Sequence, residues 1–466
     1  MILKFYKKVK MRKQNSLKLA FIIIISVLLQ SCFVAKNYKT PVAETANIYR
    51  TDQILDSTSI AAVSWDKLFT DPILQEYIKE GLSNNFDMKM ALQNLLAAEA
   101  TMKQRKLGQL PSLNSNATWI YEKTKNSNDF NQYELSGNLS WEADIWGKIR
   151  SSKRASIASY LQTVSVQQAI QTEIVASIAS TYFQLLALDA QVKVAEKTLI
   201  NREKGLETIK ALKSAGIVNE VSVKQTEAQK YETEIILKDL KYNVTIFENT
   251  LSILLGKSPK IIKRDLFENQ IITANIKVGI PALLLSRRPD VVSAELNFRN
   301  SFELTNVAKS HFYPSLTVNA SGGFRSLELK DWFNTNALFS TIITGLTQPI
   351  FNQRQIKTNF EIAKVNQQKA YLQFEESLLI AGKEVSDALA DYNNETEKLV
   401  IRKNKLDALK IAADYSDELL QYGMVNYLEV LTAKDNALYT ELELVNNKYN
   451  QMNAVINLYK ALGGGY

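Results

Sequence analysis

Residues 110–121 read LPSLNSNATWIY, and the first four of them return later in the chain as Tyr313-Pro314-Ser315-Leu316, at an offset of 203. Beyond Pro111 the side chains alternate between a mainly apolar set (113, 115, 117, 119 and 121) and a polar set (114, 116 and 118). An alternation with a period of two is typical of a β-strand whose two faces meet different surroundings. The repeated segment therefore predicts two equivalent strands in one chain.

Further matches extend the duplication along most of the chain. Gly216-Ile217-Val218-Asn219 returns as Gly423-Met424-Val425-Asn426, at an offset of 207. Two more pairs keep this offset: Lys241-Tyr242-Asn243 with Lys448-Tyr449-Asn450, and Leu255-Gly256 with Leu462-Gly463. Matches in the same order at a nearly constant offset predict an internal two-fold repeat. We place repeat 1 at residues 81–258, a linker at 259–285 and repeat 2 at 286–466.

Each repeat combines a short β-part with long helices. The alternating runs predict one hairpin per repeat, at about 111–141 and about 314–349. Neither glycine nor proline occurs from Lys148 to Lys204, and no proline follows Pro349. A helix of about 60 residues would be roughly 90 Å long, so such helices must pack side by side as in a coiled coil. The prediction is a mainly α fold with a small β part.

The basic character of the chain is concentrated at its start. The formal net charge is +8, and residues 1–31 hold seven lysines and arginines with no acidic residue. The remainder has 49 basic and 48 acidic residues, which argues against a nucleic-acid partner. This basic stretch precedes an apolar run at 19–29, and together they predict a signal peptide that begins at Met1 or Met11.

Cys32 directly follows the apolar run and is the only cysteine in the chain. Leu29-Gln30-Ser31-Cys32 resembles the lipobox of bacterial lipoproteins, which predicts that Cys32 is acylated. Residue 33 is Phe, so the aspartate that retains lipoproteins in the enterobacterial inner membrane is absent. A buried free thiol is the alternative. We expect an exported, lipid-anchored protein whose N-terminal segment covers residues 32–80.

The hairpins suit a membrane sheet that several chains share. Four strands are too few to close a barrel, and an open edge leaves backbone groups unpaired in hydrocarbon. The aromatic side chains of Trp119, Tyr121, Tyr133 and Trp141 on the apolar face suit lipid, and the polar face suits a water-filled lumen. A soluble hairpin packed on helices is the alternative.

Four motifs resemble those of one protein family. Residues 139–148, LSWEADIWGK, match a W-E-x-D-x-[FW]-G-[KR] stretch, and residues 287–291, RRPDV, match an RRPD[IV] opening of the second repeat. Residues 423–431, GMVNYLEVL, match a G-x-x-x-[YF]-[LT]-[ED]-V-L turn, and residues 384–389 match E-V-x-x-A-L. From about Tyr38 to the C-terminus, the chain therefore resembles the TolC/OprM-type outer-membrane efflux channels, in their NodT-like lipoprotein branch.

The resemblance implies a homotrimer in the cell outer membrane. Each chain would contribute four strands to one β-barrel surrounded by outer-membrane lipid, and a long periplasmic α-helical coiled-coil barrel would continue it. The implied partners are a periplasmic adaptor (membrane fusion) protein and an inner-membrane transporter of the resistance–nodulation–division (RND) class. The implied function is a passive exit duct for small toxic compounds in a tripartite efflux pump. The alternatives are a channel for type I protein secretion and a lipid-anchored periplasmic coiled coil without a pore.

The two duplicated turns are the predicted docking site for the adaptor. A glycine in each turn is expected to end one helix in a left-handed C-cap. The resemblance implies that these turns form the periplasmic tip of the channel. The docking candidates are Gly216, Val218, Asn219, Gly423, Val425 and Asn426. An ordinary role as turn residues is the alternative for each of them.

Glu429 corresponds to an acidic position that surrounds the pore constriction in the resembled family. Three copies around a three-fold axis would bring like charges together and favour cations. Thr432 and Val425 stand where the family often has a second acid and an arginine. A lock made by an arginine–aspartate network is therefore not expected, and a solvated helix residue is the alternative for Glu429.

The remaining motif residues are predicted to have structural roles. Trp141, Asp144, Trp146 and Gly147 mark the bend between strand and helix, and Arg287, Arg288, Pro289 and Asp290 begin a helix, where an acidic residue is favourable. The single histidine, His311, has no Cys or His partner in the sequence that would suggest a metal ligand. We therefore predict no enzyme activity, no cofactor and no metal site.

Overall fold

A computed structural model describes residues 34–41, 63–123, 125, 129–270 and 287–464. These residues are mainly helical, and none of the helices among them is long and apolar enough to cross a membrane. In chain order the helices are α1 Trp65–Leu68, α2 Pro72–Asn84, α3 Phe86–Lys106, α4 Lys148–Ser214, α5 Glu220–Leu254, α6 Pro289–Ser310, α7 Gln355–Gln421 and α8 Tyr427–Ala461.

The strands form one antiparallel sheet in the order β1-β2-β3-β4. Their bounds are β1 Ser112–Glu122, β2 Phe130–Ala143, β3 Ser315–Ser326 and β4 Leu338–Thr347. Short 3-10 turns at Leu329–Asp331 and Thr335–Ala337 lie between β3 and β4. The predicted mainly α fold with four strands per chain is confirmed.

The sheet has one apolar and one polar face, because directly paired residues point to the same side. Trp119 pairs with Tyr133, and Leu139 pairs with both Leu113 and Ala320. The apolar face consists of positions 113, 115, 117, 119 and 121 of β1, 133, 135, 137, 139 and 141 of β2, 316, 318, 320, 322 and 324 of β3, and 338, 340, 342, 344 and 346 of β4. The intervening positions form the polar face.

The described residues form two compact units. The sheet belongs to the unit that includes residues 34–41, 95–123, 125, 129–162 and 294–374, and the other unit includes residues 63–94, 163–270, 287–293 and 375–464. Equivalent helices of the two repeats have equal lengths: α4 and α7 have 67 residues each, and α5 and α8 have 35 each. The predicted duplication is therefore also a duplication of structure.

The second unit contains the same contact twice, once in each repeat. The Asn85 side-chain amide donates to the Leu254 carbonyl at 3.0 Å, and the Arg288 guanidinium donates to the Ala461 carbonyl at 3.0 Å. A glycine with positive φ follows each helix, Gly256 at +69° and Gly463 at +80°. A Cβ at Gly256 would lie 2.5 Å from the Asn84 carbonyl oxygen, so only glycine allows this approach.

Replacing Gly256 by alanine should therefore destabilise the protein. A left-handed backbone alone costs about 1–2 kcal/mol for an L side chain, and the collision with the Asn84 carbonyl adds to this. Gly205→Ala is the control, since Gly205 lies inside α4 with nothing within 4 Å, and alanine there should stabilise by up to about 1 kcal/mol. Denaturant unfolding followed by circular dichroism at 222 nm compares the two variants. Equal effects would contradict this account.

Candidate functional site

Asp144 terminates the sheet and begins helix α4. Its two carboxylate oxygens accept hydrogen bonds from the backbone N–H groups of Ile149 and Arg150, both at 2.9 Å. Gly147 between them has a φ of +79°, and a Cβ there would lie 3.0 Å from Cβ of Ala35. The carboxylate thus satisfies two N–H groups that the first turn of a helix leaves without intrahelical partners.

Two tryptophans of the same motif fix neighbouring chain segments. The Trp146 indole donates to the Pro314 carbonyl at 2.7 Å, and its ring stacks on Tyr313 with centroids 4.8 Å apart. The Trp141 indole donates to the Gln109 carbonyl at 2.9 Å. Each indole therefore connects the end of β2 to the segment just before another strand.

The bend between strand and helix in repeat 2 differs in sequence from the bend in repeat 1. At the offset of 207, Arg354 stands where repeat 1 has Gly147, and both Gln353 and Arg354 have positive φ values, of 54° and 66°. Non-glycine residues in this region are strained, by about 1–3 kcal/mol each. The sequence shows the replacement of glycine by arginine, and the backbone geometry shows that the positive φ is kept.

Residues 34–41, which we call the N-terminal strap, pack along helix α6. The Tyr38 ring makes edge contacts with Phe298 and Phe302, and its hydroxyl donates to Glu295 at 2.5 Å. The Asn306 side-chain amide bonds to both the N–H and the carbonyl of Lys36, at 3.1 and 2.9 Å. Cys32 and the predicted signal peptide lie outside the described residues. No sequence signal pointed to Tyr38, because its partners are more than 250 residues away.

Arg288 and Asp290 join the start of helix α6 to other helices. The Arg288 guanidinium binds the Asp290 carboxylate at 2.9 Å and the Glu384 carboxylate at 2.7 Å. Burial opposes ionisation of Asp290, but the hydrogen bond and charge of Arg288 outweigh it and hold its pKa below the usual value. Pro289 occupies the first helical position, where its missing N–H is harmless. Arg287 lies next to the Gly463 backbone.

The two duplicated turns have the same backbone geometry. Gly216 and Gly423 have φ values of +75° and +68°, as the C-cap prediction requires. The N–H of the following residue reaches back to the helix in each case, from Ile217 to Leu212 and from Met424 to Leu419, at 3.0 Å. This 6→1 hydrogen bond defines a Schellman motif at the end of α4 and of α7.

Asn219 and Asn426 begin the next helices. The Asn219 side chain accepts from the Ser222 N–H at 3.1 Å, and the Asn426 side chain accepts from the Leu428 N–H at 2.5 Å. Both are therefore N-caps, a role in which asparagine is worth about 1 kcal/mol over alanine. Two of the six docking candidates thus have a structural function in the turns.

Both turns rest on one hydrophobic cluster. Val218 and Val425 are half-buried against it, whereas Ile217 and Met424 are exposed by 55% and 72%. The buried members of the cluster are Leu206, Ile209, Val223, Leu420 and Val430. We therefore call these two loops the paired turns.

A polar network joins three helices near this cluster. Arg202 of α4 is buried and donates to Gln229 of α5 and to Asp435 of α8, and the Gln229 amide donates to the same Asp435 carboxylate. Burial raises the pKa of Asp435, and the charge and hydrogen bonds of Arg202 offset part of that rise. The Thr226 hydroxyl donates to the Tyr427 hydroxyl at 2.8 Å. None of these residues was a site candidate in the sequence. Tyr427 belongs to the quoted turn motif, whereas Arg202, Gln229 and Asp435 come from distant helices and leave no local motif.

Glu429 is exposed in the first turn of α8, where its N–H donates to the Asn426 carbonyl at 3.1 Å. Its equivalent at the offset of 207 is Ser222, so only the second of the paired turns carries this carboxylate. Thr432, one helical turn further on, donates its hydroxyl to the Leu428 carbonyl at 2.8 Å.

His311 lines a cavity of about 390 Å³ beside the junction of β2 and α4. Burial and the positive charge of Lys148 lower the pKa of His311. Within the part of the chain that the structure describes, no group of three His, Cys, Asp or Glu residues is placed to hold a metal ion. The prediction of no metal site stays a prediction.

Comparison with known proteins identifies the family. A family model described as Outer membrane efflux protein matches residues 77–257 and 280–464. The chain belongs to this family. Its two matched segments correspond to the two repeats found in the sequence.

Individual relatives match along almost their full lengths. The toluene efflux pump outer membrane protein TtgF of Pseudomonas putida is 27% identical over 469 residues, which cover 95% of this chain and 96% of TtgF. The probable outer membrane lipoprotein SilC of Salmonella typhimurium is 25% identical over 456 residues, covering 97% and 99%. A crystal structure of CusC has a TM-score of 0.84 at 25% identity, and the match covers 93% of this chain and 100% of the chain in that structure.

These comparisons confirm the predicted channel family, the duplicated mainly α fold and the function in efflux across the outer membrane. They do not favour the secretion alternative, because the family and the pump relatives are efflux proteins. The absence of enzyme activity agrees with such a family and stays a prediction. The assignments of individual site residues also stay predictions.

Removing Arg202 should destabilise the helices that carry the paired turns. Arg202→Met leaves the half-buried carboxylate of Asp435 without its cation, and we expect a loss of about 1–3 kcal/mol in the free energy of unfolding. The control is Lys241→Met, which removes a pair with Glu196 that also joins α4 to α5 but is exposed, at 2.7 Å. That change should cost less than about 1 kcal/mol. The network would be unimportant if thermal unfolding showed the same loss for both variants.

Proposed function

We propose that three copies of this chain form the outer-membrane exit duct of a tripartite efflux pump, with each copy anchored by lipid on Cys32. The observation that carries the proposal is the exposed apolar face of the four-stranded sheet. Ile342 on this face is 76% exposed, and Leu113 and Leu346 are also exposed. Such a face is stable against lipid and not against water.

The edges of the sheet support a shared barrel. Among the described residues, β1 and β4 each pair with a single strand, so one edge of each is open. In hydrocarbon those backbone groups require partners, and only closure supplies them. Three copies would provide twelve strands, within the range of outer-membrane barrels, whereas four strands fall below it.

Aromatic side chains lie at both ends of the apolar face. Trp119 stacks on Tyr133, which contacts Trp332, at the end toward the connecting loops. Trp141 lies eight residues farther along β2, or about 26 Å at the rise of a strand. At the strand tilt of about 35–45° in such barrels, this corresponds to about 20 Å along the membrane normal, a little less than the apolar band of about 25 Å between two aromatic girdles.

The N-terminal strap supports the position of the lipid anchor. Val34, two residues after Cys32, is buried, and its carbonyl accepts from the Lys309 side chain at 3.3 Å. The neighbouring Ala35 lies beside Gly147 at the end of the sheet, where an added Cβ would be 3.0 Å from Cβ of Ala35. The described chain therefore begins close to the end of the strands, where the leaflet facing the periplasm begins in the proposed barrel.

We assign adaptor docking to the paired turns, with a revised set of contact residues. Val218 and Val425 pack inward and the two asparagines cap helices, so these four stabilise the turns. The exposed side chains of Ile217 and Met424 offer the apolar contact, next to Gly216 and Gly423. The adaptor would connect the duct to a proton-driven RND transporter in the inner membrane, which supplies the energy and selects the cargo.

Cross-linking in cells tests the docking assignment. A photoreactive benzoylphenylalanine at position 217 or 424 should yield an adduct that mass spectrometry identifies as the periplasmic adaptor. Position 200 is the control, because Ile200 of α4 is as exposed as Ile217 but precedes it by 17 residues. Adducts of equal yield at position 200, or adducts at neither turn, would contradict the assignment.

Planar-bilayer conductance tests the duct and the role of Glu429. We propose that the three Glu429 carboxylates surround the constriction, so the wild type should be cation-selective and Glu429→Gln should move the reversal potential toward zero. The matched control exchanges the equivalent positions, Glu429→Ser with Ser222→Glu, and keeps the net charge. It should behave like Glu429→Gln.

The outcomes separate the two parts of the proposal. An unchanged reversal potential in Glu429→Gln would keep the duct and remove Glu429 from the constriction. Folded protein that never forms openings would exclude the duct and favour a lipid-anchored coiled coil without a pore.

A further inference from the structure

The polar face of the sheet is lined almost entirely by uncharged groups. Hydroxyl and amide side chains occupy most of its positions, and some bond across strands, as Ser140 does to Asn319 at 2.8 Å. These uncharged residues include Ser112, Asn114, Asn116, Thr118, Gln132, Ser136, Asn138, Ser140, Thr317, Asn319, Ser321 and Thr341.

One pair of opposite charges interrupts this surface. Glu134 of β2 is paired in register with Arg325 of β3, and the guanidinium Nε lies 3.0 Å from the carboxylate. Both residues lie on the polar face, where the Glu134 side chain is 21% exposed and the Arg325 side chain is 50% exposed. Glu122 and Glu142 lie at the strand ends, and Glu142 is paired with Lys148 at 2.9 Å.

A second contact, with an aromatic ring on β4, holds the Arg325 side chain in place. Its guanidinium lies 4.4 Å from the centroid of the Phe339 ring on β4, a cation–π contact. Phe339 is an aromatic residue on the polar face and is paired in register with Gly323. The Phe339 ring therefore contacts the guanidinium that pairs with Glu134.

We infer that the Glu134–Arg325 pair neutralises the barrel lumen, so that the β-barrel part of the duct adds no selection by charge to that of the Glu429 constriction. The inference rests on the proposed function, because it requires the polar face to line the pore. Three-fold symmetry places three such pairs around one lumen. Loss of one member leaves three like charges inside a low-dielectric wall, where fields are focused to several kT.

Cysteine reactivity measures the potential at this place. Thr118 is exposed and lies directly opposite Glu134 on β1, and Cys32 is the only native cysteine. In outer-membrane fractions of Thr118→Cys protein, a cationic and an anionic methanethiosulfonate reagent are compared at about 10 mM salt, where the Debye length is about 30 Å. A change of one kT in potential alters the ratio of the two rates about sevenfold.

The two single variants should change the ratio of the two reaction rates in opposite directions. Arg325→Gln should raise the ratio of cationic to anionic rates several-fold, Glu134→Gln should lower it several-fold, and the double variant should return to the parent value. The double variant also controls for altered packing, since it lacks both side chains but keeps the net charge. An identical ratio in all four proteins, or shifts of the same sign in both single variants, would overturn the inference.

The neighbouring position distinguishes this failure from failure of the proposed function. Ala117 is exposed on the apolar face of the same strand, next to Thr118. In the proposed barrel it faces lipid, so Ala117→Cys should resist both water-soluble reagents while Thr118→Cys reacts. Equal reactivity of the two cysteines would contradict the barrel itself, and the inference would fall with it.

Discussion

A peptide group that enters hydrocarbon finds no water, so its hydrogen bonds have to be completed by protein. In this chain β2 and β3 are paired on both sides, whereas β1 and β4 each keep an open edge among the described residues. In the proposed trimer, the partners for these edges come from other copies. The apolar face, the aromatic residues at its two ends and the proposed lipid on Cys32 all suit a small sheet placed in a bilayer.

The two repeats contain the same glycine turns and helix caps. The functional proposals concern positions at which the two repeats differ. Gly256 and Gly463 allow the same close approach, and Asn219 and Asn426 cap equivalent helices. In contrast, Glu429 corresponds to Ser222 in the other repeat, and Arg325 corresponds to Glu122 at the offset of 203. A charge that only one repeat carries, such as Glu429, gives a trimer a ring of three charges, whereas the same charge on both repeats would give six.

Much of the fold was readable from the sequence because its signals are local. Helix and strand periods follow from side chains three or four, or two, positions apart, and caps depend on residues such as Gly216 or Asp144 within one turn. The apolar and polar faces needed no more than the alternation at 113–121. The family motifs added the channel, which no periodicity indicates.

Residue types, order and spacing thus determined the duplication, the four strands, the long helices and the glycine turns. Tertiary structure alone decided that Val218 and Val425 pack inward, that Arg202 joins Gln229 and Asp435, that Tyr38 packs on α6, and that Glu134 meets Arg325 above Phe339. The partners in these contacts are up to about 260 residues apart and come together only when helices and strands pack. Burial and charge pairing at such distances depend on packing geometry, which local sequence does not encode.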